Sequence, residues 1–173
     1  NINLLYREHL KFLIGAKLSL KYVQAALDEE RVNLKSWERY DKRYDLYACT
    51  KPIEWDYEQT RPYKGDTLKE KRRMYLHLYY NSTRGSEDER RSNVLLADLQ
   101  EELQHGKRVT EHEKLYSKYF EIMETPVRGI QVIAKQGAID AARKNFGFFA
   151  LISNENRDAI KALEIYRNKD LCE

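Results

Sequence analysis

A very apolar run at residues 146–153, followed closely by a segment without glycine or proline, constrains the fold more than any other feature of the sequence. The run has the length of a single strand, and its aromatic and branched side chains favour a sheet. Residues 158–173 contain no helix breaker, and Asn154 or Asn156 can cap their start, so we predict a helix there. The end of the chain is therefore predicted to be a strand that leads into a helix.

One face of this predicted helix carries a phenol, an ammonium group and a carboxylate in register. With about 3.6 residues per turn, that face consists of Ala159, Ala162, Tyr166, Lys169 and Glu173. The predicted helix reaches Glu173, the last residue of the sequence, without a glycine or proline that would end it. The sequence starts with Asn1 rather than methionine. We therefore expect the natural chain to continue beyond both ends.

The composition excludes several classes of protein. A chain of 173 residues, 42% hydrophobic and 34% charged, suits one or two small soluble domains. It has no apolar run of 18 residues for a membrane span and no signal peptide at its start. Cys49 and Cys172 form no metal-binding pattern, so we expect a reduced pair in the cytosol.

The remaining patterns predict an α+β fold. Strands are predicted at residues 11–17, 45–50, 74–80, 130–135 and 146–152, and a separate short strand at 55–59 after Pro52. Two central helices are predicted at 87–105, with Ser86 as the cap and Gly106 as the end, and at about 111–124. We expect a mostly antiparallel sheet, of about four strands between residues 45 and 152, with this helix pair packed on it.

The spacing Tyr166-x2-Lys169-x3-Glu173 resembles the Tyr-x2-Arg-x3-Glu-x6-Lys motif of bacterial insertion-sequence transposases of the DDE type. The sequence Asn-Phe-Gly-Phe-Phe-Ala-Leu-Ile-Ser-Asn before the helix is similar to the segment that precedes the glutamate in that family. A short helix followed by Lys-Phe-Leu-Ile within residues 1–20 fits the segment after the family's second aspartate. Lys169 replaces the family's arginine, which keeps the charge but loses the planar fork, and the final lysine would lie beyond Glu173.

This resemblance implies a domain organisation and a site. Residues 1–19 would end the first part of a ribonuclease H-like core, 20–153 would be an insertion domain, and 154–173 would begin the core helix. Glu173 would be the third carboxylate of a catalytic triad that binds Mg²⁺ or Mn²⁺. Tyr166 and Lys169 would contact DNA phosphate near the cut, and Arg167, which lies off that face, is a further candidate for DNA binding.

The implied activity is metal-dependent DNA cleavage and strand transfer of an insertion sequence. The implied partners are double-stranded transposon ends and a second copy of the protein in a synaptic homodimer, in the bacterial cytoplasm and without a membrane. Both catalytic aspartates would lie outside this chain, so we expect the chain alone to be inactive and to bind no metal.

A second hypothesis is a non-catalytic α+β module that binds nucleic acid or a protein. Residues 61–73 would carry that function, because they include the basic run Lys69-Glu-Lys-Arg-Arg, and Glu173 would then have no catalytic role. Several of the 13 tyrosines lie beside basic residues, which is typical of nucleic-acid surfaces but also of tyrosines packed on a sheet. These tyrosines are Tyr40, Tyr44, Tyr63 and Tyr119, together with Tyr75, which lies two residues after Arg73.

Two histidines could also be proposed as metal ligands. His105 and His112 lie in the sequence near Glu102 and Glu113, which offer carboxylate oxygens. Exposed histidines near a helix end are far commoner than metal sites, so we expect no metal at this position.

Overall fold

The computed structural model describes residues 2–60, 65–125 and 129–168, which divide into two compact units. The first unit combines the described residues up to Asn81 with those from Phe148 onward, and the second is Ser82–Gly147. In chain order the elements are α1 (Ile2–Arg7), β1 (Leu13–Ala16), α2 (Lys21–Glu30), β2 (Tyr40–Asp41), β3 (Leu46–Thr60), β4 (Thr67–Tyr80), α3 (Ser82–Gln104), α4 (Glu113–Tyr119), β5 (Phe120–Thr125), β6 (Gly129–Ala134), α5 (Gln136–Arg143), β7 (Phe148–Ser153) and α6 (Ala159–Asn168).

The first unit is built on an antiparallel sheet of five described strands in the order β1-β7-β4-β3-β2. The apolar run of β7 lies between β1 and β4, with Leu151 opposite Gly15 on one side and His77 on the other. At the far end of β7, Phe148 is opposite Tyr80, the last residue of β4. The structure therefore confirms the predicted α+β class and the antiparallel sheet.

The two faces of this sheet carry separate apolar clusters because successive side chains of a strand point to opposite faces. Leu76 and Leu78 of β4 pack in a cluster with Val23 and Leu27 of α2. Tyr79, which follows Leu78 and points to the opposite face, belongs to a different cluster, which contains residues of α6. Met74 to Tyr79 are all buried, as expected for a central strand that is covered on both faces.

The second unit has its own core, formed by α3, α4, α5 and the hairpin of β5 and β6. Leu99 and Leu103 of α3 pack with Tyr116, Phe120 and Ile139. The helix α3 ends just before Gly106, whose φ of 64° is the left-handed conformation that favours glycine. The predicted end of this helix is thus confirmed.

The strand predicted at residues 130–135 lies outside the five-stranded sheet. As β6, it pairs with β5, whereas the sequence had predicted that the helix before it would continue to residue 124. The helix α4 ends at Tyr119 because Phe120 adopts an extended conformation and buries its ring in the core of the second unit. Pairing with β6 then satisfies the backbone groups on the side of β5 that faces β6.

A strand also continues through Pro52, where the sequence predicted a stop. The strand β3 runs without a break from Leu46 to Thr60 and pairs with β4 along its length. Within the described residues, β2 pairs only with Leu46 and Tyr47, so β3 is an edge strand at Pro52. An edge position tolerates proline because its missing N–H need not bond to a further strand.

Two predicted helix caps are not used. The helix α3 begins at Ser82, and Ser86 Oγ donates back to Ser82 O at 3.2 Å instead of capping the helix. The start of α6 is capped by Asp158, whose Oδ1 accepts a hydrogen bond from Lys161 N at 2.8 Å. The Asn154 amide instead bonds to the backbone of the segment before β1, accepting from Phe12 N at 3.0 Å.

No described helix has both the length and the apolar character that a bilayer span requires.

The contact between Gly15 and Tyr166 can be tested by stability measurements. A Cβ atom on Gly15 would lie 3.2 Å from Tyr166 Oη, so we expect Gly15→Ala to lower the free energy of unfolding by about 1 kcal/mol. The double change Gly15→Ala with Tyr166→Phe should recover most of this loss, because Oη is the nearest atom. Urea unfolding measures both effects.

Gly137 is the matched control for this prediction. It lies in α5 with nothing within 4 Å of an added Cβ, so Gly137→Ala should stabilise the protein by about 0.5–1 kcal/mol. Equal effects at the two glycines would show that the Gly15–Tyr166 contact is not tight.

Candidate functional site

The helix α6 carries the predicted site residues and packs on the sheet through the predicted face. Ala159, Ala162 and Leu163 are buried, and Leu163 contacts the cluster that contains Leu151 of β7. Tyr79 Oη donates a hydrogen bond to Ala159 O at 2.7 Å, which fixes the first turn of α6 to β4. The start of the predicted site helix is thus attached to the central strands by a hydrogen bond and by apolar packing.

Tyr166 lies on this packed face. Its ring is half-buried among the apolar residues beneath α6, and its hydroxyl lies close to Gly15 of β1. The side chain therefore contributes to the attachment of α6 to the sheet, in addition to any contact that it makes with a ligand. Lys169 and Glu173, the other predicted site residues of this face, lie outside the described residues.

Arg167 is exposed and lies over the ring of Tyr44, in the segment between β2 and β3. The guanidinium carbon of Arg167 is 5.1 Å from the centre of that ring, and the one of Arg43 is 5.4 Å from it. Tyr44 Oη donates to Glu164 Oε1 at 3.0 Å, and Arg43 Nη1 lies 3.2 Å from the same oxygen. These contacts join four residues into one cluster, which we call the Tyr44 cradle: Arg43, Tyr44, Glu164 and Arg167.

This cluster could not be predicted from the sequence because Tyr44 and Arg167 are far apart in the chain. The only signal was that Tyr44 directly follows a basic residue. The pKa of Tyr44 is raised from 10.0, first because burial disfavours the phenolate and then because the hydroxyl donates to Glu164. Tyr44 therefore stays protonated and remains a hydrogen-bond donor at physiological pH.

The other tyrosines beside basic residues differ in exposure. Tyr75 and Tyr119 are buried in the cores of the first and second unit respectively, so their rings pack as sheet and helix residues. Tyr40 is 43% exposed and its hydroxyl donates to Asp45 Oδ1 at 2.7 Å. Tyr63 lies outside the described residues. Among the described members of this set, Tyr40 and Tyr44 are therefore the ones placed to meet a ligand.

The basic run at the start of β4 is matched by carboxylates. Lys69 Nζ is 3.1 Å from Glu58 Oε1, and Lys71 Nζ is 2.9 Å from Asp56 Oδ1, both across the ribbon of β3 and β4. Arg72 Nη2 lies 2.6 Å from Glu70 Oε2. These ion pairs are exposed and individually weak, but they offset the positive charge that a phosphate would encounter.

The histidines predicted to bind no metal have protein partners. His112 Nδ1 donates to Glu102 Oε2 at 2.9 Å, and Tyr116 Oη donates to the same oxygen. These two hydrogen bonds lower the pKa of Glu102, which stays ionised as their acceptor. Across residues 2–60, 65–125 and 129–168, no group of three or more His, Cys, Asp or Glu side chains is arranged to hold a metal.

His77 is a fully buried histidine on the sheet face covered by α6. Its Nδ1 shares a hydrogen bond of 2.8 Å with Thr50 Oγ1, and its Nε2 has no hydrogen-bond partner within the described parts of the chain. Burial lowers the pKa of His77 to about 4, although Asp158 and the backbone of Asn156 favour the charged form. His77 is therefore neutral in the folded protein near pH 7.

Comparisons of the chain with protein-family models, curated proteins and solved structures gave no match. The structure brings together segments from both ends of the chain: β1 pairs with β7, and α6 packs on both.

The neutral state of His77 predicts a loss of stability in acid. In the unfolded chain the pKa of His77 is about 6.5. Between this pH and about pH 4 the unfolded state therefore binds a proton at His77 that the folded state does not bind. The free energy of unfolding should fall by about 1.4 kcal/mol per pH unit below about pH 6, with a total of about 3 kcal/mol at pH 4.

The measurement is urea unfolding at a series of pH values for wild type, His77→Asn and the exposed control His105→Asn. Asparagine does not titrate, so His77→Asn should remove most of the decrease in acid, whatever its effect at neutral pH. His105→Asn should keep the wild-type profile. A His77→Asn profile parallel to wild type would show that another group causes the acid sensitivity.

Proposed function

We propose that this chain is part of a DDE-type DNA transposase, with Glu173 as one of the metal-binding carboxylates. The observation that supports the proposal is that the resembling segments, which lie at opposite ends of the chain, are neighbours in space. The strand β1 pairs with β7 from Leu13↔Ser153 to Ala16↔Ala150, more than 130 residues away in sequence. A chance resemblance of separate short segments gives no reason for them to share a sheet and a covering helix.

Each residue of the proposed site has a role that follows from its chemistry. Glu173 would supply carboxylate oxygens, and Mg²⁺ or Mn²⁺ held there would assist attack on the DNA phosphate and departure of the leaving oxygen. Lys169 would offer a point charge to phosphate. Tyr166 anchors α6 on β1, and through this contact it would set the position of the residues that follow in the helix.

The second unit fits the proposed interruption of a catalytic core. Ser82–Gly147 is compact and has its own apolar cluster, while the chain on both sides of it belongs to the first unit. It covers only part of the insertion domain predicted at residues 20–153, because residues 20–81 and 148–153 belong to the first unit. Under this proposal the substrates are double-stranded transposon ends, the active form is a synaptic homodimer, and the protein works in the bacterial cytoplasm.

The proposal is tested by DNA cleavage with Mg²⁺ in the full-length parent protein, comparing wild type with Glu173→Gln. Glutamine keeps the size of the side chain but removes the charge that a metal needs. Changes in groups that only support metal ligands typically cost 10- to 100-fold, so loss of a direct ligand should lower the cleavage rate by more than about 100-fold. DNA binding should be retained.

Glu155→Gln is the matched control for this experiment. Glu155 is an exposed carboxylate that pairs with Lys11 at 2.5 Å, and its change should leave cleavage unaltered. Cleavage by Glu173→Gln at the wild-type rate would refute the assignment of Glu173.

The alternative, a non-catalytic nucleic-acid-binding module, makes a different prediction. If residues 61–73 carry the function, the triple change Lys71, Arg72 and Arg73 to Ala should weaken DNA binding and reduce its dependence on salt. Under the transposase proposal the same change should have little effect on cleavage, because the carboxylates beside Lys71 and Arg72 already offset their charge. DNA titrations at several salt concentrations, together with the cleavage assay, distinguish the two.

A further inference from the structure

We propose that Arg167, held on the ring of Tyr44, contacts the phosphate backbone of duplex DNA, and that Tyr44 is a positioning residue for this contact. The inference rests on the proposed function for the identity of the ligand. It adds the segment between β2 and β3 to a DNA surface that the sequence had placed only on α6.

The charges of the Tyr44 cradle leave Arg167 as its available cation. Arg43 lies 3.2 Å from Glu164 Oε1 and 3.5 Å from Asp41 Oδ2, so two carboxylates offset its charge. No carboxylate of the described residues lies within 4.0 Å of Arg167, which is exposed at the end of α6. Within the described residues, Arg167 is therefore the cation of the cluster whose charge is not offset by a carboxylate partner.

The contact with the ring of Tyr44 restricts the orientation of Arg167. A guanidinium group over an aromatic face is attracted to the ring, while its N–H donors point outward in the plane of the group. An unrestrained arginine would lose rotamer freedom on binding, and one that already lies over a ring has lost part of it beforehand. The planar group matches the oxygens of a phosphate, with which arginine can form two parallel hydrogen bonds.

The ring of Tyr44 is itself fixed from its other end. Its hydroxyl donates to Glu164, one turn before Arg167 on the same helix, and Arg43 lies against the ring as well. The ring therefore joins the segment between β2 and β3 to the last turns of α6. The ring of Tyr44 is the part that contacts Arg167 and orients it. The hydroxyl acts indirectly, because its hydrogen bond to Glu164 holds the ring in place.

The test measures binding of a fluorescent DNA duplex to the chain by anisotropy, without metal, at several salt concentrations. Arg167→Gln should weaken binding by about 5- to 10-fold and lower the slope of log K against log salt by about 0.9, as expected for one lost phosphate contact. Tyr44→Leu should weaken binding by about 3-fold, and Tyr44→Phe, which keeps the ring, should stay near wild type. Thermal unfolding of each variant checks that it is folded.

Arg157→Gln is the matched control. Arg157 is also exposed and also lies over a tyrosine, with its guanidinium carbon 5.9 Å from the ring of Tyr75, but it precedes the first turn of α6. Its change removes the same charge and should leave the affinity and the salt slope near wild type. If Arg157→Gln weakens binding as much as Arg167→Gln, only net charge matters and the inference is overturned.

The double variant Tyr44→Leu with Arg167→Gln tests whether the tyrosine acts through the arginine. It should bind no more weakly than Arg167→Gln alone, because Tyr44 then has no side chain to orient. Fully additive losses would overturn the positioning role.

The result of this DNA-binding test can be distinguished from the result of the Glu173 cleavage test. Absence of measurable DNA binding by wild type, or an unchanged salt slope for Arg167→Gln, overturns this inference but leaves the cleavage test of Glu173 standing. Wild-type cleavage by Glu173→Gln, together with the predicted effects at Arg167 and Tyr44, would refute the transposase proposal and leave a DNA-binding surface.

Discussion

The pairing of β7 with both β1 and β4 is the constraint on which the first unit depends. The apolar run of β7 can be buried only between two strands, and one of them, β1, comes from the other end of the chain. This pairing makes the two ends one structure and supplies the surface on which α6 packs. The loop closed by it is long, but the entropic cost of closing a loop rises only slowly with its length. Burial of the central strand on both faces can therefore offset that cost.

The proposed function and the Tyr44 cradle both depend on how firmly α6 is held. Tyr79 bonds to the first turn of the helix, Tyr166 packs near its end, and Glu164 joins it to Tyr44. Each contact comes from a different part of the first unit, so the helix has little freedom to rotate on the sheet. A rigid helix is a suitable support for charged groups that must meet phosphate at fixed positions.

The elements that could be predicted from the sequence are those with a strong local pattern. The buried part of β4, the apolar run of β7 and the glycine that ends α3 follow from periodicity and backbone preference. Local patterns failed where tertiary contacts decide: burial of Phe120 ends α4 early, and an edge position lets β3 run through Pro52. For the same reason the sequence placed Arg167 on a helix but could not show Tyr44 beside it, because 122 residues separate them.

The pairing of Tyr80 with Phe148 determines how much the length of the chain between β4 and β7 can vary. The two residues face each other across β4 and β7, so the chain leaves the first unit and re-enters it at a single point. Antiparallel strands with ends in this position can also be joined by a tight turn. The end of the β4–β7 pair is thus an insertion point of the first unit. Segments of very different length, from a few residues to a whole domain, can connect the two strands there without disturbing the sheet.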